Sequence, residues 1–150
     1  MIAVISSPQI VSKLKKNQNL NLDISCYNST KETVVSGQNE DLEQFKMFLK
    51  KKKILFVPLP VDGPFHSKHY SYMSSQFYDY LKTQNFLSFK IPIMSTIDGR
   101  LHHHPYLEII KSQCCSPVLF MQAILQLKKL NITEFLDCGD GTLSKLLLSI

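Results

Sequence analysis

One histidine stands where it could transfer a proton, at the end of a short loop that contains glycine and proline. His66 follows Gly63, Pro64 and Phe65. Histidine titrates near neutral pH, so its imidazole can take up or release a proton under physiological conditions. A loop stiffened by proline can present such a ring to a cleft. His66 is therefore a candidate general base, although a surface loop histidine without a function has the same local composition.

The remaining histidines are poor candidates for a metal site. His102, His103 and His104 are adjacent, so their side chains point in different directions, and no carboxylate is well spaced beside them. We expect these three to be polar loop residues. His66 and His69 are three residues apart and could share one helix face, but we expect no zinc there. The sequence predicts no metal and no bound cofactor.

The cysteines indicate a reducing compartment rather than a disulfide framework. Cys26, Cys114, Cys115 and Cys138 have no CxxC spacing, and the adjacent pair suits neither a zinc knuckle nor a usual disulfide pattern. Cys114 or Cys115 could offer a nucleophilic thiol, but nothing nearby acidifies them, so we expect both to be packing residues. These features favour a cytoplasmic location.

Composition and charge exclude several classes of protein. The 150 residues have a formal net charge of +5 and are 44% hydrophobic, enough for one packed domain. A basic protein can bind nucleic acid, but the lysines at positions 50–53 close an amphipathic helix, where cations favour the helix dipole. No apolar run approaches a membrane span, and the N-terminus is not a signal peptide. We expect neither a nucleic-acid nor a membrane partner.

Hydrophobic periodicity predicts two unlike parts. Residues 1–60 alternate as β-α-β-β-α-β, the split arrangement of ferredoxin-like folds. The predicted elements are strands 1–5, 21–27, 33–36 and 54–59, and helices from Ser7 and over 40–52. Residues 61–150 contain predicted helices 67–83, 106–111, 117–130 and 142–150, with strands 90–96 and 132–136. Two strands are too few for a sheet of their own, so the remaining strands are either absent or on another chain.

Four stretches occur in an order and at spacings that match one enzyme family. They are Tyr27-Asn28-Ser29 with Val34-Val35-Ser36-Gly37, Val57 to Val61 with Gly63 to Ser67, Gln113 with Ser116-Pro117-Val118, and Asp137 to Leu143. These stretches are similar to the family sequences NYNSPGQVVISG, PLPVSGPFHS, RQLxxPVRW and EIGPGKVL. Over nearly its whole length the chain resembles the malonyl-CoA:acyl-carrier-protein transacylases of fatty acid and polyketide synthesis.

The resemblance implies roles for four residues. The family's GPFHS histidine is catalytic, which makes His66 the general base for a serine nucleophile. Gln113 would orient His66 by accepting its second ring proton, as the carboxylate does in a Ser-His-Asp triad, although composition alone makes Gln113 a solvent-facing glutamine. A phenylalanine directly before the family's histidine is associated with malonyl rather than methylmalonyl units, and Phe65 resembles that form of the motif. A bulky ring at this position would crowd an α-methyl group. Asn28 would help to shape the substrate site, with a plain turn asparagine as a close alternative.

The resemblance also implies an architecture and shows which motifs of the family this sequence lacks. Residues 1–60 would form the ferredoxin-like small subdomain, and residues 61–150 the C-terminal part of the large subdomain with its α/β-hydrolase-like core. The family's GQGSQ and GHSLGE motifs and its malonyl-binding arginine have no counterpart, and no GxSxG occurs. The sequence also departs from the family at Cys26, Asp62, Phe120 and Asp140. The chain therefore corresponds to the C-terminal half of the enzyme, without the serine.

Three functional hypotheses follow. The first is transfer of malonyl from malonyl-CoA to the thiol of acyl carrier protein through an acyl-serine, with an N-terminal half that is missing from this sequence or encoded separately. The second is a non-catalytic module that binds the carrier protein, or a remnant. The third is an acyl hydrolase of a polyketide assembly line, in which water replaces the carrier thiol. We expect the chain alone to be inactive.

Overall fold

A four-stranded antiparallel sheet occupies the first part of the computed structural model, which describes residues 1–150. The strands are ordered β2-β3-β1-β4, and every neighbouring pair is antiparallel. All six elements predicted for residues 1–60 are present, with bounds that shift by a few residues. They are β1 (Ile2–Val4), α1 (Pro8–Gln18), β2 (Leu22–Tyr27), β3 (Thr33–Gly37), α2 (Asn39–Lys51) and β4 (Phe56–Pro58).

The ends of the two long helices follow from local chemistry. Ser7 caps α1, because its hydroxyl accepts a hydrogen bond from the N–H of Ile10 at 3.4 Å, and Pro8 occupies the first helical position. The helix stops at Asn19, whose left-handed backbone (φ 51°) suits an asparagine. The lysine run 50–53 ends α2, as predicted.

The apolar core lies between this sheet and its two helices. Strand β3 is buried at every residue, and Phe45 of α2 is completely buried. The core cluster consists of Ile2, Val4, Val11, Leu22, Val35, Leu42, Phe45 and Leu49. Every member belongs to residues 1–60, so the first part carries the core that stabilises the chain.

Short elements joined by long loops make up the rest of the chain. In order they are a 3₁₀ turn (Lys68–Tyr70), α3 (Ser71–Lys82), β5 (Ile93–Met94), β6 (Leu101–His102), α4 (Leu107–Lys111), a second 3₁₀ turn (Ser112–Cys114), α5 (Phe120–Lys129) and α6 (Thr142–Leu147). Strands β5 and β6 pair only with each other, as a two-residue antiparallel hairpin.

Both strands predicted for this second part need correction. The strand predicted over 90–96 is reduced to Ile93–Met94, and the segment 132–136 forms no strand. The pattern of segment 132–136 suits a strand, but no neighbouring strand is present to pair with it. A strand requires a hydrogen-bonded partner, which hydrophobic periodicity cannot supply.

Few residues after residue 60 are buried. Only Leu81, Ala123 and Ile124 are buried apolar residues there, whereas most of the large apolar side chains that are exposed lie in this part. None of the helices combines the length and hydropathy that a membrane-spanning segment needs.

The second part is attached to the edge of the sheet by backbone hydrogen bonds. The N–H of Tyr27 donates to the carbonyl of Val118 at 2.8 Å, and the N–H of Val118 donates to the carbonyl of Ser25 at 2.8 Å. These two bonds form an isolated parallel bridge between Cys26 and Val118. Strand β2 is therefore the seam between the two parts.

The buried ring of Phe45 should carry much of the stability of the first part. We expect Phe45→Ala to lower the free energy of unfolding by about 3–5 kcal/mol, because it leaves a cavity in the core cluster. Met47 lies on the same helix with 63% of its surface exposed, so Met47→Ala should change stability by less than about 0.5 kcal/mol. Urea denaturation followed by circular dichroism measures both, and equal effects would contradict this placement of the core.

Candidate active site

The loop that leads to His66 is held by close packing and by a buried hydroxyl. Phe65 stacks on Tyr70, with ring centroids 5.3 Å apart and planes 16° from parallel. Gly63 lies against the same tyrosine, and a β-carbon at Gly63 would come within 2.1 Å of its hydroxyl oxygen. Ser67 is buried, and its hydroxyl donates to the carbonyl of Pro64 at 2.5 Å. The loop therefore has little freedom on either side of the histidine.

The main chain and the ring of His66 are both bound by the turn at residues 112–114. The N–H of His66 donates to the carbonyl of Cys114 at 3.1 Å. Nδ1 of its imidazole lies 2.9 Å from the carbonyl oxygen of Gln113. A carbonyl can only accept, so Nδ1 of the neutral ring carries the proton and Nε2 keeps its lone pair. An imidazole held in this tautomer can take a proton from a hydroxyl group.

His66 also has an unusual backbone. Its φ is 55°, in the left-handed region that residues with a β-carbon rarely adopt. Such a conformation costs roughly 1–3 kcal/mol and persists only where the surroundings fix it. Here the two hydrogen bonds to residues 113 and 114 provide that restraint. The strain lies at the residue that the sequence singled out for proton transfer.

Gln113 meets His66 through its main chain rather than its side chain. The carbonyl oxygen makes the contact, and residue 113 also lines a separate groove with Tyr106 and Ile109. Any residue at position 113 could supply this carbonyl. The structure thus brings His66 and Gln113 together, and the amide group of Gln113 has no part in the contact.

Phe65 and Asn28 are placed differently from each other. Phe65 is next to His66, with 45% of its surface exposed. Asn28 lies in the turn after β2, where its amide nitrogen donates to the carboxylate of Glu32 at 2.7 Å. Neither Phe65 nor Asn28 lines the cleft that contains His66. Phe65 is next to the histidine in the chain but its ring stacks on Tyr70, and Asn28 lies in a turn.

A polar cleft of about 330 Å³ opens beside His66 at the seam between the two parts. Lys68 approaches Asp23 with its ammonium group 3.8 Å from the carboxylate, and the N–H of Lys68 donates to the same carboxylate at 3.2 Å. Lys15 donates to the carbonyl of Leu22 at 2.5 Å. Lys15, Asp23 and Lys68 carry no local signal in the sequence, since nothing in their pattern indicates that distant segments converge on one cleft.

Only one of the three adjacent histidines has a charged partner. Nε2 of His102 lies 3.0 Å from a carboxylate oxygen of Asp98, and the ring meets Tyr106 edge-on. Burial raises the pKa of Asp98, but hydrogen bonds from His102 and from the main chain of Arg100 outweigh it and hold that pKa below its usual value. No group of three histidine, cysteine or acidic side chains could hold a metal ion. The four-residue spacing of Asp98 and His102 around the turn at Gly99 is the sequence signal for this pair.

Cys26 is the cysteine nearest to the seam, and its thiol is hard to ionise. Burial, with a smaller contribution from the nearby charge of Glu32, raises the pKa of Cys26 to about 11. Cys26 is therefore a neutral packing residue at physiological pH rather than a nucleophile.

Curated proteins similar to this chain are acyltransferases. The chain is 28% identical over 145 residues to the polyketide biosynthesis acyltransferase homolog PksD of Bacillus subtilis. This match covers 96% of this chain and 44% of PksD. It is 27% identical over 140 residues to the polyketide biosynthesis malonyl CoA-acyl carrier protein transacylase BaeC of Bacillus velezensis. This match covers 91% of this chain and 48% of BaeC. No protein-family model matches the chain.

Solved structures show the same fold. The malonyl CoA-acyl carrier protein transacylase of Burkholderia pseudomallei superposes with a TM-score of 0.92 at 21% identity, over 99% of this chain and 54% of that protein. The corresponding protein of Clostridium perfringens superposes with a TM-score of 0.90 at 24% identity, over 99% of this chain and 49% of that protein.

These comparisons confirm the resemblance found in the sequence. Homologues of this chain are malonyl-CoA:acyl-carrier-protein transacylases and polyketide acyltransferases. The chain spans about half the length of these curated relatives. Its α/β structure, with helices and an antiparallel sheet, matches acyltransferase domains.

The close approach of Gly63 to Tyr70 gives a test of the histidine loop. In Gly63→Ala, the new methyl group would displace the Tyr70 ring and disturb the Nδ1 contact of His66. Tyr70→Phe removes the clashing hydroxyl, so the double variant should recover most of the loss. The ¹⁵N chemical shifts of the His66 ring measure the contact, with Tyr70→Phe alone as the control. Shifts unchanged in Gly63→Ala would contradict the packing.

The high pKa of Cys26 predicts selective alkylation. At pH 8 only about one thiol in a thousand would be ionised at that site, and the thiolate is the reactive form. Iodoacetamide should therefore modify the exposed Cys138 and leave Cys26 intact in the folded chain. Peptide mass mapping measures the result, and urea-unfolded protein, in which both should react, is the control. Equal rates in the folded state would exclude this environment for Cys26.

Proposed function

We propose that this chain supplies the general base of a malonyl-CoA:acyl-carrier-protein transacylase, and that the base is His66. The observation that carries the proposal is the 2.9 Å contact between Nδ1 and the carbonyl of Gln113. It leaves Nε2 free to accept a proton at the cleft. The homology with acyltransferases supplies the reaction class, and it covers about half of the relatives' length.

The proposed reaction proceeds through a covalent acyl-serine. The serine hydroxyl, from the half of the enzyme that this chain does not match, gives its proton to Nε2 of His66 as its oxygen attacks the thioester carbonyl of malonyl-CoA. The carbon–sulfur bond breaks, and the CoA thiolate leaves with that proton. The thiol of acyl carrier protein then gives its proton to His66, attacks the acyl-serine and carries the malonyl group away. The serine recovers its proton from His66, so no external oxidant or cofactor is needed.

In this proposal Gln113 orients the base through its main chain. The contact fixes the tautomer and direction of the ring, as a carboxylate does in a Ser-His-Asp triad. A neutral carbonyl stabilises a transient imidazolium less than a carboxylate would. The orienting role of Gln113 therefore belongs to the position of the turn and not to the glutamine side chain.

Phe65 is proposed to limit the size of the acyl group. Its ring is fixed by stacking on Tyr70, and Phe65 directly precedes the base in the chain. A fixed ring beside the reacting carbonyl would leave little room for an α-methyl substituent, which favours malonyl over methylmalonyl units. Asn28 is proposed to act only indirectly, by shaping the turn that follows β2.

We further propose that the two parts of the chain are two subdomains. Residues 1–60 fit a ferredoxin-like small subdomain, supported by the element order β-α-β-β-α-β and the antiparallel strand order β2-β3-β1-β4. Residues 61–150 fit the C-terminal part of a large subdomain with an α/β-hydrolase-like core, supported by their lack of a core of their own. The cleft at the seam would receive malonyl-CoA and acyl carrier protein in the cytoplasm, in fatty acid or polyketide synthesis.

Reconstitution tests the proposal. The chain is combined with the part of BaeC that it does not match, malonyl-CoA and acyl carrier protein, and intact mass spectrometry follows malonyl transfer. We expect no transfer by the chain alone. In the reconstituted enzyme, His66→Ala should lower the rate by about 10²–10⁴-fold, because it removes the general base.

The matched control is His103→Ala, since His103 is exposed and its side chain makes no hydrogen bond. Transfer by the chain alone, or undiminished transfer by His66→Ala, would contradict the proposal. Release of free malonate without loading of the carrier protein would identify an acyl hydrolase instead. Carrier-protein binding without either reaction would identify a binding module.

A further inference from the structure

A main-chain N–H group close to the candidate base is bound by a carboxylate from the small sheet. Lys68 begins the 3₁₀ turn that follows the histidine loop, and N–H groups at the start of a helical turn have no partner within it. Ser67 precedes the turn but does not cap it, because its hydroxyl donates to the carbonyl of Pro64. The N–H of Lys68 donates instead to the carboxylate of Asp23 at 3.2 Å, 45 residues earlier in the chain. Asp23 belongs to β2 and lines the cleft that contains His66.

The ion pair between the same two residues is the weaker part of this contact. Nζ of Lys68 lies 3.8 Å from a carboxylate oxygen of Asp23, and the lysine side chain is 63% exposed. Exposed ion pairs of this kind contribute little, because water screens them and a long side chain loses freedom on pairing. The side chain of Asp23 is only 21% exposed, and a charged acceptor that is mostly shielded from water binds an N–H group more strongly. The main-chain hydrogen bond therefore holds the loop, and the ammonium group adds little.

Strand β2 also anchors the segment that orients the imidazole. The turn at 112–114 leads to Val118, whose N–H donates to the carbonyl of Ser25 at 2.8 Å. Ser25 is two residues from Asp23 on the same strand, it is buried, and β2 is paired with β3 along this stretch. One rigid strand thus carries, two residues apart, an attachment for the loop with His66 and an attachment for the segment that binds its ring. The strand fixes the spacing between the ring and the carbonyl that accepts from it.

We propose that Asp23 is a positioning residue for the base His66, and that it acts through the main-chain N–H of Lys68. Without this bond, the loop would lose its attachment to β2, while the turn at 112–114 would keep its own through Val118. The ring and its acceptor would then move independently. The left-handed backbone of His66 (φ 55°) makes the loop sensitive, because a strained conformation relaxes when a restraint is removed. The importance of this contact for catalysis rests on the proposed function, whereas its effect on the ring does not.

Four variants of the full chain separate the hydrogen bond from the ion pair. Asp23→Ala removes both, whereas Asp23→Asn keeps an oxygen that accepts the N–H and removes the charge. Lys68→Met keeps the N–H and removes the ammonium group. Lys68→Pro removes the N–H at a place where proline fits, because Lys68 is the first residue of its turn and Ser67 before it is extended (φ −138°, ψ 163°). Lys68→Pro leaves β2 intact, so it provides the test even where Asp23→Ala does not fold.

The ¹⁵N resonances of the His66 ring measure the result at about pH 9, where an imidazole is neutral. The unaltered chain should show one protonated and one unprotonated ring nitrogen, as the contact of Nδ1 requires. In Asp23→Ala and in Lys68→Pro the two resonances should converge, because a released ring samples both tautomers. Asp23→Asn and Lys68→Met should keep the original spectrum. The double variant Asp23→Ala/Lys68→Pro should be no worse than either single variant, since both remove the same bond.

The matched control is Asp137→Ala. The carboxylate of Asp137 also accepts main-chain N–H groups, from Gly139 at 2.8 Å and Ser144 at 3.0 Å, and Asp137 does not line the cleft. Its removal should leave the His66 resonances unchanged, and an effect as large as that of Asp23→Ala would overturn the proposal. Unchanged resonances in both Asp23→Ala and Lys68→Pro would overturn it as well. Equal effects of Lys68→Met and Lys68→Pro would assign the restraint to the ion pair and also contradict it.

The transfer assay separates this inference from the proposed function. Asp23→Ala should lower kcat for malonyl transfer by about 10–100-fold with little change in KM, because a misdirected base affects the transition state more than substrate binding. A released ring in Asp23→Ala, together with no transfer by the unaltered sequence, would support the positioning and contradict the proposed function. Undiminished transfer by Asp23→Ala, in an enzyme that His66→Ala inactivates, would overturn the positioning role.

Discussion

Strand β3 is buried at all of its residues, and its pairing with β1 and β2 places the apolar core on one small sheet. The rest of the chain has only three fully buried apolar residues and is joined to that sheet by backbone hydrogen bonds. The seam bonds between β2 and Val118 hold the start of α5, and Thr30 reaches the carbonyl of Ser149 near the end of the chain at 2.9 Å. A directional, polar attachment of this kind fixes geometry while contributing modestly to stability, since a backbone hydrogen bond is worth about 1 kcal/mol net.

The candidate base lies at the start of the second part, in the loop that follows the sheet. The loop that carries His66 leaves β4, whereas the carbonyls that bind it come from the turn at 112–114. The histidine and the turn that orients its imidazole both belong to the second part. The left-handed backbone at His66 is tolerated because both of its contacts lie on one short turn, so a shift of that turn would move ring and main chain together. The geometry of the base therefore depends on the position of the turn at 112–114.

Local chemistry made the first 60 residues predictable. The cap at Ser7, the proline after it and the stripe that contains Leu42 and Phe45 are short-range signals, and the structure forms each element that they predict. The histidine loop was found by the match of several stretches in register, which no single motif would have supported. The contact of Gln113 was predicted as an acceptor for the ring, but the main chain makes it, and a sequence carries no signal for which carbonyl faces a distant side chain.

The features that could not be predicted from the sequence have a common physical cause. Segment 132–136 has the side-chain pattern of a strand, yet a strand is a property of two segments, and here the second one is absent. Lys15, Asp23 and Lys68 converge on the cleft through tertiary packing that leaves no local pattern. The tautomer of His66 is likewise fixed by tertiary packing, because the carbonyl that binds Nδ1 belongs to a turn 47 residues away in the sequence.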